Sequence, residues 1–470
     1  MTTLNCFIHL KMIFMLYSSF LLILISNFLE KSVALQSHFE TVESAPECKR
    51  FIIDSKEMPK STFEVFDIYG PCSPAAAGTN PMNMPSPHDI LHLDRLRVKA
   101  LHDRFKPKST TNKYDSRFQD TKEATRDLPV LFSYGNHAIR IGLGTPPQLQ
   151  TLMFDTGSDI TWSNGFNYYA SSSSEIISCD SPACPWYLPH HTCEMFYSEN
   201  TCFYNTGYLD GSNTKGAFIE DILTIPQTGD WFSFQFGCAT EVNGEYDSYT
   251  NGILGLGRDN VSFVSQTEDI YNGIFSYCFP SSPSSTGFLK LGPRDYSDNV
   301  RFTRLITDPS YPSFYFLNII SISVGGVDLS KNDDQFDLSF PGTVIDTGTV
   351  ISRLPLYEYI KMRNEFQKQM AYFGYLIIQS PSSLLDTCYY NIVDLIVPTI
   401  TFTFEGDVNV DMDASTTLYT FVDSKISCLA FAGNNKGELL AVFGNFQQKT
   451  LEVVYDVSEG LLGFSPHGCY

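Results

Sequence analysis

Short apolar stretches separated by Gly, Pro, Asn and Ser dominate the chain from Ala138 onward. Several of these stretches alternate or run apolar over about five to ten residues, which is typical of β-strands. The clearest examples are residues 138–143, 218–225, 231–236, 314–324 and 400–404. Only residues 355–370 in this part carry apolar side chains at convincing helical spacing. The pattern therefore predicts an all-β protein with one substantial helix.

The N-terminal segment has a different pattern. Lys11 precedes an apolar stretch over residues 12–28, and Ser32, Val33 and Ala34 follow it as small residues suited to signal cleavage. We expect residues 1–34 to be a secretory signal peptide. The alternative is an uncleaved signal anchor, for which the stretch is at the short end. No other stretch is long and apolar enough to cross a membrane.

Residues 35–126 are polar and weakly patterned, except for an amphipathic helix predicted over residues 90–105. Its apolar positions are interleaved with Arg and Lys. Residues 95–126 carry 10 Lys+Arg and 4 Asp+Glu (net +6), whereas residues 127–470 carry 15 and 38 (net −23). The strong negative charge of residues 127–470 argues against nucleic acid or anionic lipid as a partner. One interpretation is that the acidic surface only keeps the protein soluble. The other is that the basic segment, residues 95–126, docks on the acidic part of the chain until falling pH neutralises its carboxylates.

Two short segments repeat each other, and each places Asp-Thr-Gly directly after an apolar run. Asp155 follows Leu-Met-Phe, and Asp346 follows Val-Ile. An apolar run that ends at Asp-x-Gly is typical of a buried strand entering a tight turn. A lone copy would be weak evidence, since Asp and Gly are ordinary turn residues. Two copies predict matching turns that bring two carboxylates face to face.

The repeat extends further along the chain. An apolar-apolar-Gly segment ends at Gly255, 100 residues after Asp155, and another ends at Gly444, 98 residues after Asp346. Nearly equal offsets indicate an internal duplication. The chain from about residue 134 to 470 resembles the pepsin-like aspartic proteases. Its region before residue 126 resembles the pro-region of the plant nepenthesin and chloroplast-nucleoid type.

This resemblance implies a bilobal fold in which each duplicated β lobe contributes one aspartate to a cleft. Asp155 and Asp346 would form the catalytic dyad. Two carboxylates about 3 Å apart share one proton, so one acts as general base on water and the other as acid. Which of the two is the base is left open. The neighbours expected to support the dyad are Thr156, Gly157, Ser158, Thr347, Gly348 and Thr349. The threonines next to each Asp would bond across to the opposite lobe, and Ser158 and Thr349 would hold the outer carboxylate oxygens.

The resemblance also implies a flap that closes over substrate. Tyr208 precedes the hairpin signal Asp210-Gly211, and Trp162 stands where the family has a tryptophan that bonds the flap tyrosine. Leu209 departs from the glycine usual at its position.

Nine cysteines lie in the catalytic module, and they include no Cys-x-x-Cys pair that would suggest zinc or thioredoxin-type chemistry. By resemblance, Cys179, Cys184, Cys193 and Cys202 would form two local disulfides, and Cys388 would pair with Cys428. Cys238, Cys278 and Cys469 remain, one of them unpaired. Asn260 begins an Asn-Val-Ser glycosylation sequon.

These observations predict a plant-type aspartic endopeptidase, secreted and made as a zymogen. Its parts are a signal (1–34), a propeptide (35–126), an N-terminal lobe (127–310) and a C-terminal lobe (311–470). We expect polypeptide substrates, no metal or organic cofactor, no nucleic-acid or stable membrane association, and a monomer. Vacuole or plastid are alternative destinations. The alternative function is a catalytically silent binding protein related to glycosidase inhibitors.

Overall fold

The computed structural model describes most of the chain from Cys48 onward. The described ranges are 48–50, 61–75, 85–105, 137–207, 212–243, 249–293, 299–331, 333–339, 342–390, 396–466 and 468–469. The predicted signal peptide lies outside them. Within these ranges no helix has the length and apolar character needed to span a bilayer.

The described residues form mainly β-strands, as the sequence pattern predicts. The strands of the first half are β1 (Thr62–Asp67), β2 (His137–Leu143), β3 (Gln148–Asp155), β4 (Trp162–Ser163), β5 (Glu175–Ile176), β6 (Thr192–Phe196), β7 (Glu199–Gly207), β8 (Asn213–Thr224), β9 (Trp231–Asn243), β10 (Gly252–Gly255), β11 (Ile274–Cys278), β12 (Thr286–Leu291) and β13 (Arg301–Arg304).

The strands of the second half are β14 (Phe316–Leu317), β15 (Ile319–Val324), β16 (Val327–Asp328), β17 (Thr343–Asp346), β18 (Ser352–Leu354), β19 (Cys388–Tyr390), β20 (Ile400–Phe404), β21 (Val408–Met412), β22 (Leu418–Phe421), β23 (Ile426–Leu429), β24 (Phe431–Gly433), β25 (Ala441–Gly444), β26 (Leu451–Asp456) and β27 (Leu461–Pro466). The helices are α1 (Pro87–Arg104), α2 (Ala183–Tyr187), α3 (Phe263–Gln266), α4 (Glu268–Tyr271), α5 (Leu356–Tyr372), α6 (Ala414–Thr417) and α7 (Asn445–Gln448).

The duplicated segments form two matching strand pairs. In the first half β3 runs parallel to β10, with Asp155 opposite Gly255. In the second half β17 runs parallel to β25, with Asp346 opposite Gly444. This register explains the nearly equal offsets in the sequence. A Cβ at Gly255 would lie 2.1 Å from the Asp159 carbonyl oxygen, and one at Gly444 would lie 2.7 Å from the Val350 carbonyl oxygen. Both positions therefore need glycine, because the chain just after each aspartate passes against them.

The first lobe is built on a long, mostly antiparallel sheet. Its strand order is β13-β27-β26-β11-β12-β1-β2-β3-β10-β4-β9-β8-β7-β6, with β5 beside β8. Three smaller sheets belong to the second half, in the orders β14-β17-β25-β18-β24, β16-β15-β20-β21 and β19-β23-β22. The strands β26 and β27 return from the second half into the long sheet, so both halves of the chain build it. A mostly-β fold with two duplicated lobes is thus confirmed.

The helix predicted over residues 355–370 is α5, which begins at Leu356 and ends at Tyr372. Its buried face carries Tyr359, Met362, Phe366 and Met370. These side chains join the main hydrophobic core, which is what the helical spacing of apolar residues requires. Of the predicted strands, residues 400–404 match β20, while 314–324 is divided between β14 and β15.

The region before residue 126 contributes two ordered elements to the body. Strand β1 lies inside the long sheet, between β2 and β12. Helix α1 covers the predicted amphipathic segment and begins three residues earlier. Its first turn is stabilised by a capping box between Ser86 and Asp89, with Pro87 at the first helical positions.

Five disulfides join cysteines of the described residues: Cys48–Cys72, Cys179–Cys193, Cys184–Cys202, Cys278–Cys469 and Cys388–Cys428. Cys238 is the free thiol in this part of the chain. Burial raises the pKa of Cys238 to about 11, so its reactive thiolate is scarce at neutral pH.

Candidate active site

The two Asp-Thr-Gly turns lie side by side at the ends of β3 and β17. Asp155 and Asp346 are both fully buried. Each turn is closed in the same way, because the Gly157 N–H donates to Asp155 Oδ1 (2.9 Å) and the Gly348 N–H donates to Asp346 Oδ1 (3.1 Å). The duplicated sequence therefore produces two equivalent carboxylates at one site.

Thr156 and Thr347 join the turns to each other across the two halves. The Thr156 N–H donates to Thr347 Oγ1 (3.0 Å), and the Thr347 N–H donates to Thr156 Oγ1 (3.1 Å). Thr347 Oγ1 also donates to the Phe154 carbonyl (3.1 Å). This reciprocal network fixes the spacing of the two aspartates, as the resemblance implies for these threonines.

A cation from α1 occupies the space in front of the carboxylates. Arg97 Nη2 lies 2.8 Å from Asp155 Oδ1 and 2.7 Å from Asp346 Oδ1, and Arg97 Nε donates to Asp346 Oδ2 (2.9 Å). The Arg97 side chain is only 2% exposed. One nitrogen atom thus contacts both carboxylates, which places the two aspartates in a single site.

The Arg97 guanidinium makes the two carboxylates unequal in acidity. Burial raises the pKa of Asp155 above its ordinary value, although Arg97 opposes the rise. Burial also opposes ionisation of Asp346, but Arg97, Thr349 and the Gly348 N–H together hold the pKa of Asp346 below its ordinary value. In this blocked state Asp346 is the more acidic partner.

The outer carboxylate oxygens differ between the halves. Thr349 Oγ1 donates to Asp346 Oδ2 at 2.5 Å. Its counterpart Ser158 makes no such bond: Ser158 Oγ and Asp155 Oδ2 are both buried without a hydrogen-bond partner among the described residues. The bond expected from Ser158 is not formed here, and Asp155 is held through Oδ1 by Arg97 and the Gly157 N–H.

Helix α1 is fixed by a second buried ion pair. Asp94 Oδ2 accepts from Arg353 Nη2 (2.5 Å), and Asp94 Oδ1 accepts from the Val350 N–H (2.6 Å), just beyond the Asp346 turn. Both charged side chains are at most 3% exposed. This pair sets the position of α1 one turn before Arg97 reaches the aspartates.

Apolar side chains of α1 pack on the second lobe on both sides of the aspartates. Leu91 joins a buried cluster that includes Val350 and Ile351. Leu101 joins another cluster with Phe316 and Val442. The helix therefore packs on the second lobe and reaches the aspartate of the first lobe through Arg97.

The predicted flap, Trp162 and the predicted glycosylation site lie outside the two Asp-Thr-Gly motifs in the sequence. Tyr208, Leu209, Asp210 and Gly211 lie outside the described residues, although β7 and β8 that flank them form an antiparallel pair ending at Gly207 opposite Asn213. Trp162 on β4 is fully buried in the cluster with Met153 and Ile253. Asn260 is exposed on a turn.

Sequence reasoning missed Arg97 as a site residue. The sequence marks it only as one basic residue of an amphipathic helix. One feature of the sequence could have indicated Arg97: it lies on the apolar face of the helix, directly before Val98 and one turn before Leu101. An arginine buried on such a face needs an acidic partner.

Comparisons with known proteins agree with this geometry. The family model described as "Xylanase inhibitor N-terminal" matches residues 137–293, and "Xylanase inhibitor C-terminal" matches residues 314–466. The chain is 37% identical over 426 residues to an aspartyl protease family protein of Arabidopsis thaliana, covering 87% of this chain and 88% of that protein. The chain belongs to the plant aspartyl protease family. It is also 30% identical to aspartic proteinase nepenthesin-2 of Nepenthes gracilis, over 73% of this chain and 80% of that protein.

Solved structures support the fold assignment of this aspartyl protease family member. The crystal structure of basic 7S globulin from soybean matches with a TM-score of 0.59 and 20% identity, over 70% of this chain and 92% of that one. A structure titled "Crystal structure of edgp" matches with a TM-score of 0.59 and 21% identity, over 73% and 93%. At these identities the likeness shows the fold alone.

Proposed function

We propose that this family member is a secreted aspartic endopeptidase, made as a precursor in which α1 blocks the active site. The observation that carries this proposal is the single Arg97 nitrogen in contact with both Asp155 and Asp346. Two buried carboxylates that converge on one point, each from an equivalent turn, are what peptide hydrolysis by activated water requires.

The proposed chemistry needs one proton shared between the aspartates once Arg97 has left. The ionised carboxylate takes a proton from a water molecule held between the pair. The protonated carboxyl group donates to the carbonyl oxygen of the scissile peptide as the water oxygen bonds to the carbonyl carbon, which gives a tetrahedral gem-diol. The C–N bond then breaks as the amine nitrogen takes the proton that the first carboxylate removed from water, and the other carboxyl group recovers its proton from the gem-diol. The reaction needs one carboxyl group ionised and the other protonated. We therefore expect activity to be highest at acidic pH, where the pair still holds one proton.

In the precursor this chemistry is blocked for two reasons. The guanidinium fills the position that the reacting water would need, and its charge opposes protonation of both carboxylates, so the pair holds the shared proton less readily. The block weakens as carboxylates are protonated. Since the pKa of Asp155 is raised and that of Asp346 is lowered, acidification neutralises Asp155 first and Asp346 last.

Secretion is supported by the chemistry of the described cysteines. Ten of them form five disulfides, which persist in oxidising compartments and are rare in the cytosol. The exposed position of Asn260 is compatible with glycosylation there. Removal of α1 would free a cleft across the face of both lobes, suited to an extended polypeptide.

The proposal is tested by a cleavage assay on acid-treated protein with a mixed peptide library. We expect pepstatin-sensitive cleavage, with peptides identified by mass spectrometry. The matched control is Asp346→Asn, which keeps the size of the side chain and removes the acid. Its activity should fall by at least a thousandfold.

Absence of cleavage by the wild-type protein after α1 has been removed would overturn the proposal. It would favour a silent binding protein, the class that the names of the matching family models suggest. Binding to a xylanase without cleavage of any peptide would then be the informative result.

A further inference from the structure

The region before the catalytic body contains two elements that are held by different forces. Helix α1 is held at the aspartates by ion pairs with titratable groups, in addition to its apolar contacts. Strand β1 and its flanks, residues 48–50 and 61–75, are here called the N-terminal anchor. In the sequence, residues 76–84 connect this anchor to the segment that begins α1.

The anchor is built into the long sheet through the backbone. Residues of β1 from Thr62 to Phe66 pair with five residues of β12, from Lys290 to Thr286. Residues Val65 to Asp67 pair with β2 on the other side. Strand β1 is therefore an interior strand, and its removal would leave two neighbouring strands with unpaired edges.

Side chains of the anchor contribute to two hydrophobic clusters. Phe63 and Val65 are fully buried in the main core. Phe66 and Ile68 are at most 2% exposed in the cluster that contains Trp162. Burial on both faces of one strand is typical of a permanent core element.

Both flanks of β1 are also attached to the body. The Ser61 N–H and hydroxyl both donate to Asp230 Oδ2, at 2.8 and 3.0 Å. The Lys49 N–H donates to the Ser284 carbonyl, and the Thr286 N–H donates to the Lys49 carbonyl (3.2 Å). The backbone at Gly70 passes so close to Pro283 that a Cβ there would lie 2.0 Å from its carbonyl oxygen.

Among the described residues, the disulfide of the anchor links its own two flanks, and no disulfide joins the anchor to the body. The Cys48–Cys72 disulfide joins the two flanks of β1. The other four disulfides of the described residues connect body cysteines with one another. If the chain is cut between the anchor and the body, only non-covalent contacts hold the anchor in place.

We propose that the anchor stays with the body as a separate, non-covalently bound chain after α1 has been cut out. The body then presents the groove between β2 and β12 as a binding surface whose partner is this protein's own N-terminal anchor. The inference rests on the proposed function only for the natural removal of α1, because the retention itself needs no catalysis.

The charges that face the anchor do not oppose retention under acid. On the body side Lys449 lies near Asp67, His137 pairs with Asp67 across the sheet, and Asp230 accepts the two bonds from Ser61. Burial holds the pKa of His137 well below its ordinary value, so acid does not readily charge it. Glu64 and Arg50, 3.9 Å apart, both belong to the anchor. Backbone pairing and apolar contacts, which make up the rest of the attachment, do not titrate. Acid that neutralises the aspartates thus loosens α1 and leaves the anchor's main contacts intact.

The test uses the full chain after the leader, with recognition sequences for a site-specific protease inserted within residues 76–84 and 106–136. The protein is cut, brought to acidic pH with pepstatin present to prevent self-digestion, and passed over a gel-filtration column. Each fraction is analysed by intact mass under denaturing conditions. We expect the fragment with residues 48–75 to elute with the body in equal amounts, and the α1 fragment to elute separately.

Two variants provide a matched comparison: Phe63→Ala in the anchor and Leu91→Ala in α1. Both remove a buried apolar side chain from the region before residue 126. Before cutting, each should lower Tm by roughly 5 °C. After α1 has been removed, only Phe63→Ala should still lower Tm.

Loss of the anchor fragment from the body, whether the body stays folded or precipitates, would overturn the proposal. So would a Tm of the cut protein that Phe63→Ala no longer changes, since another segment would then fill the groove. Retention in a protein that cleaves no peptide would uphold this inference while the proposed function fails, so the two failures are distinguishable.

Discussion

The Arg97 guanidinium can approach both aspartates because each turn carries glycine where any other residue would be in the way. A Cβ at Gly157 would lie 2.7 Å from Arg97 Nη2, and one at Gly348 would lie 2.3 Å from Arg97 Cζ. The same openness that admits this side chain would admit the backbone of a substrate. The glycines of the two Asp-Thr-Gly motifs thus serve both the blocked and the open state.

The unequal support of the two carboxylates gives a prediction at the scale of single residues. After α1 has been removed, Thr349→Val should raise the pKa of Asp346, because the ionised form loses a charge-assisted hydrogen bond. A bond of this kind is worth about 1.5 kcal/mol, or roughly one pH unit. The acid limb of the kcat/KM profile, measured on a fluorogenic peptide, should therefore move up by about one unit.

Ser158→Ala is the matched control for this change. Ser158 Oγ has no hydrogen-bond partner among the described residues, so its loss should move the profile much less. Equal shifts in the two variants would contradict the asymmetry of the site.

The sequence predicts most of this site because duplication repeats it. Both aspartates, the threonines and the glycines follow from two copies of one motif. Ser158 and Thr349 occupy equivalent positions and yet differ in bonding. No local pattern specifies this difference, nor that Arg97, 58 residues before Asp155, contacts both carboxylates.

At the scale of elements, α1 covers the two aspartates, and its position is fixed at several points. Its capping box sets the first turn, Asp94 sets the register against Arg353, and Arg97 reaches the aspartates. At the far end the Tyr311 hydroxyl donates to the Arg104 carbonyl (2.8 Å), and Phe105 packs 4.0 Å from the ring of Tyr311. The sequence predicts the helix from its apolar spacing but not which basic residue faces the cleft.

Arg97→Gln should weaken the block without removing the helix. Removing the cation leaves two buried carboxylates without a partner, which raises the free energy of the docked state of α1 by several kcal/mol. The docked state should therefore become less populated wherever the aspartates are ionised. We expect the full-length precursor to cleave a fluorogenic peptide without acid treatment, at a rate at least tenfold above that of wild type.

Arg95→Gln is the control, because Arg95 is exposed on the same helix and the change removes the same charge. If the activity of the precursor rose equally in Arg97→Gln and Arg95→Gln, the cause would be a general effect of the lost charge. In that case the contact at the aspartates would not be the cause of the block.

At the scale of the whole molecule, the two lobes and the anchor share one sheet. One consequence is a dependence of stability on pH. Burial raises the pKa of Asp67 to about 6, with hydrogen bonds from the backbone and the charge of Lys449 opposing the rise. The folded state therefore binds a proton more tightly than the unfolded state between about pH 4 and 6, and stability falls as the pH rises through this window.

Asp67→Asn should remove this dependence, since the amide keeps an oxygen to accept from the Tyr69 N–H (2.9 Å) and cannot ionise. The variant should gain stability relative to wild type on going from pH 5 to pH 7, by about 1 kcal/mol. Chemical denaturation at the two pH values measures the difference. A constant difference between the two proteins would contradict a raised pKa.

The sequence predicts the class of fold at this scale, because alternation and Gly-Pro breaks are local. It does not predict that β1 enters the body sheet. Residues 63–66 read as part of a pro-region, and only the pairing with β2 and β12 reveals their place. The pairing with β12 joins segments more than 200 residues apart, which sequence periodicity does not encode.

The pairing of β11 with β26 has a consequence for how the protein is made. Tyr277 and Tyr455 meet across these strands although they are 178 residues apart. At a translation rate of about 5 to 20 residues per second, the open edge of β11 waits roughly 10 to 40 s for its neighbour to leave the ribosome. Throughout that interval the half-made chain offers a strand that other nascent chains could join, so chaperones in the compartment of synthesis would have an open edge to protect at β11.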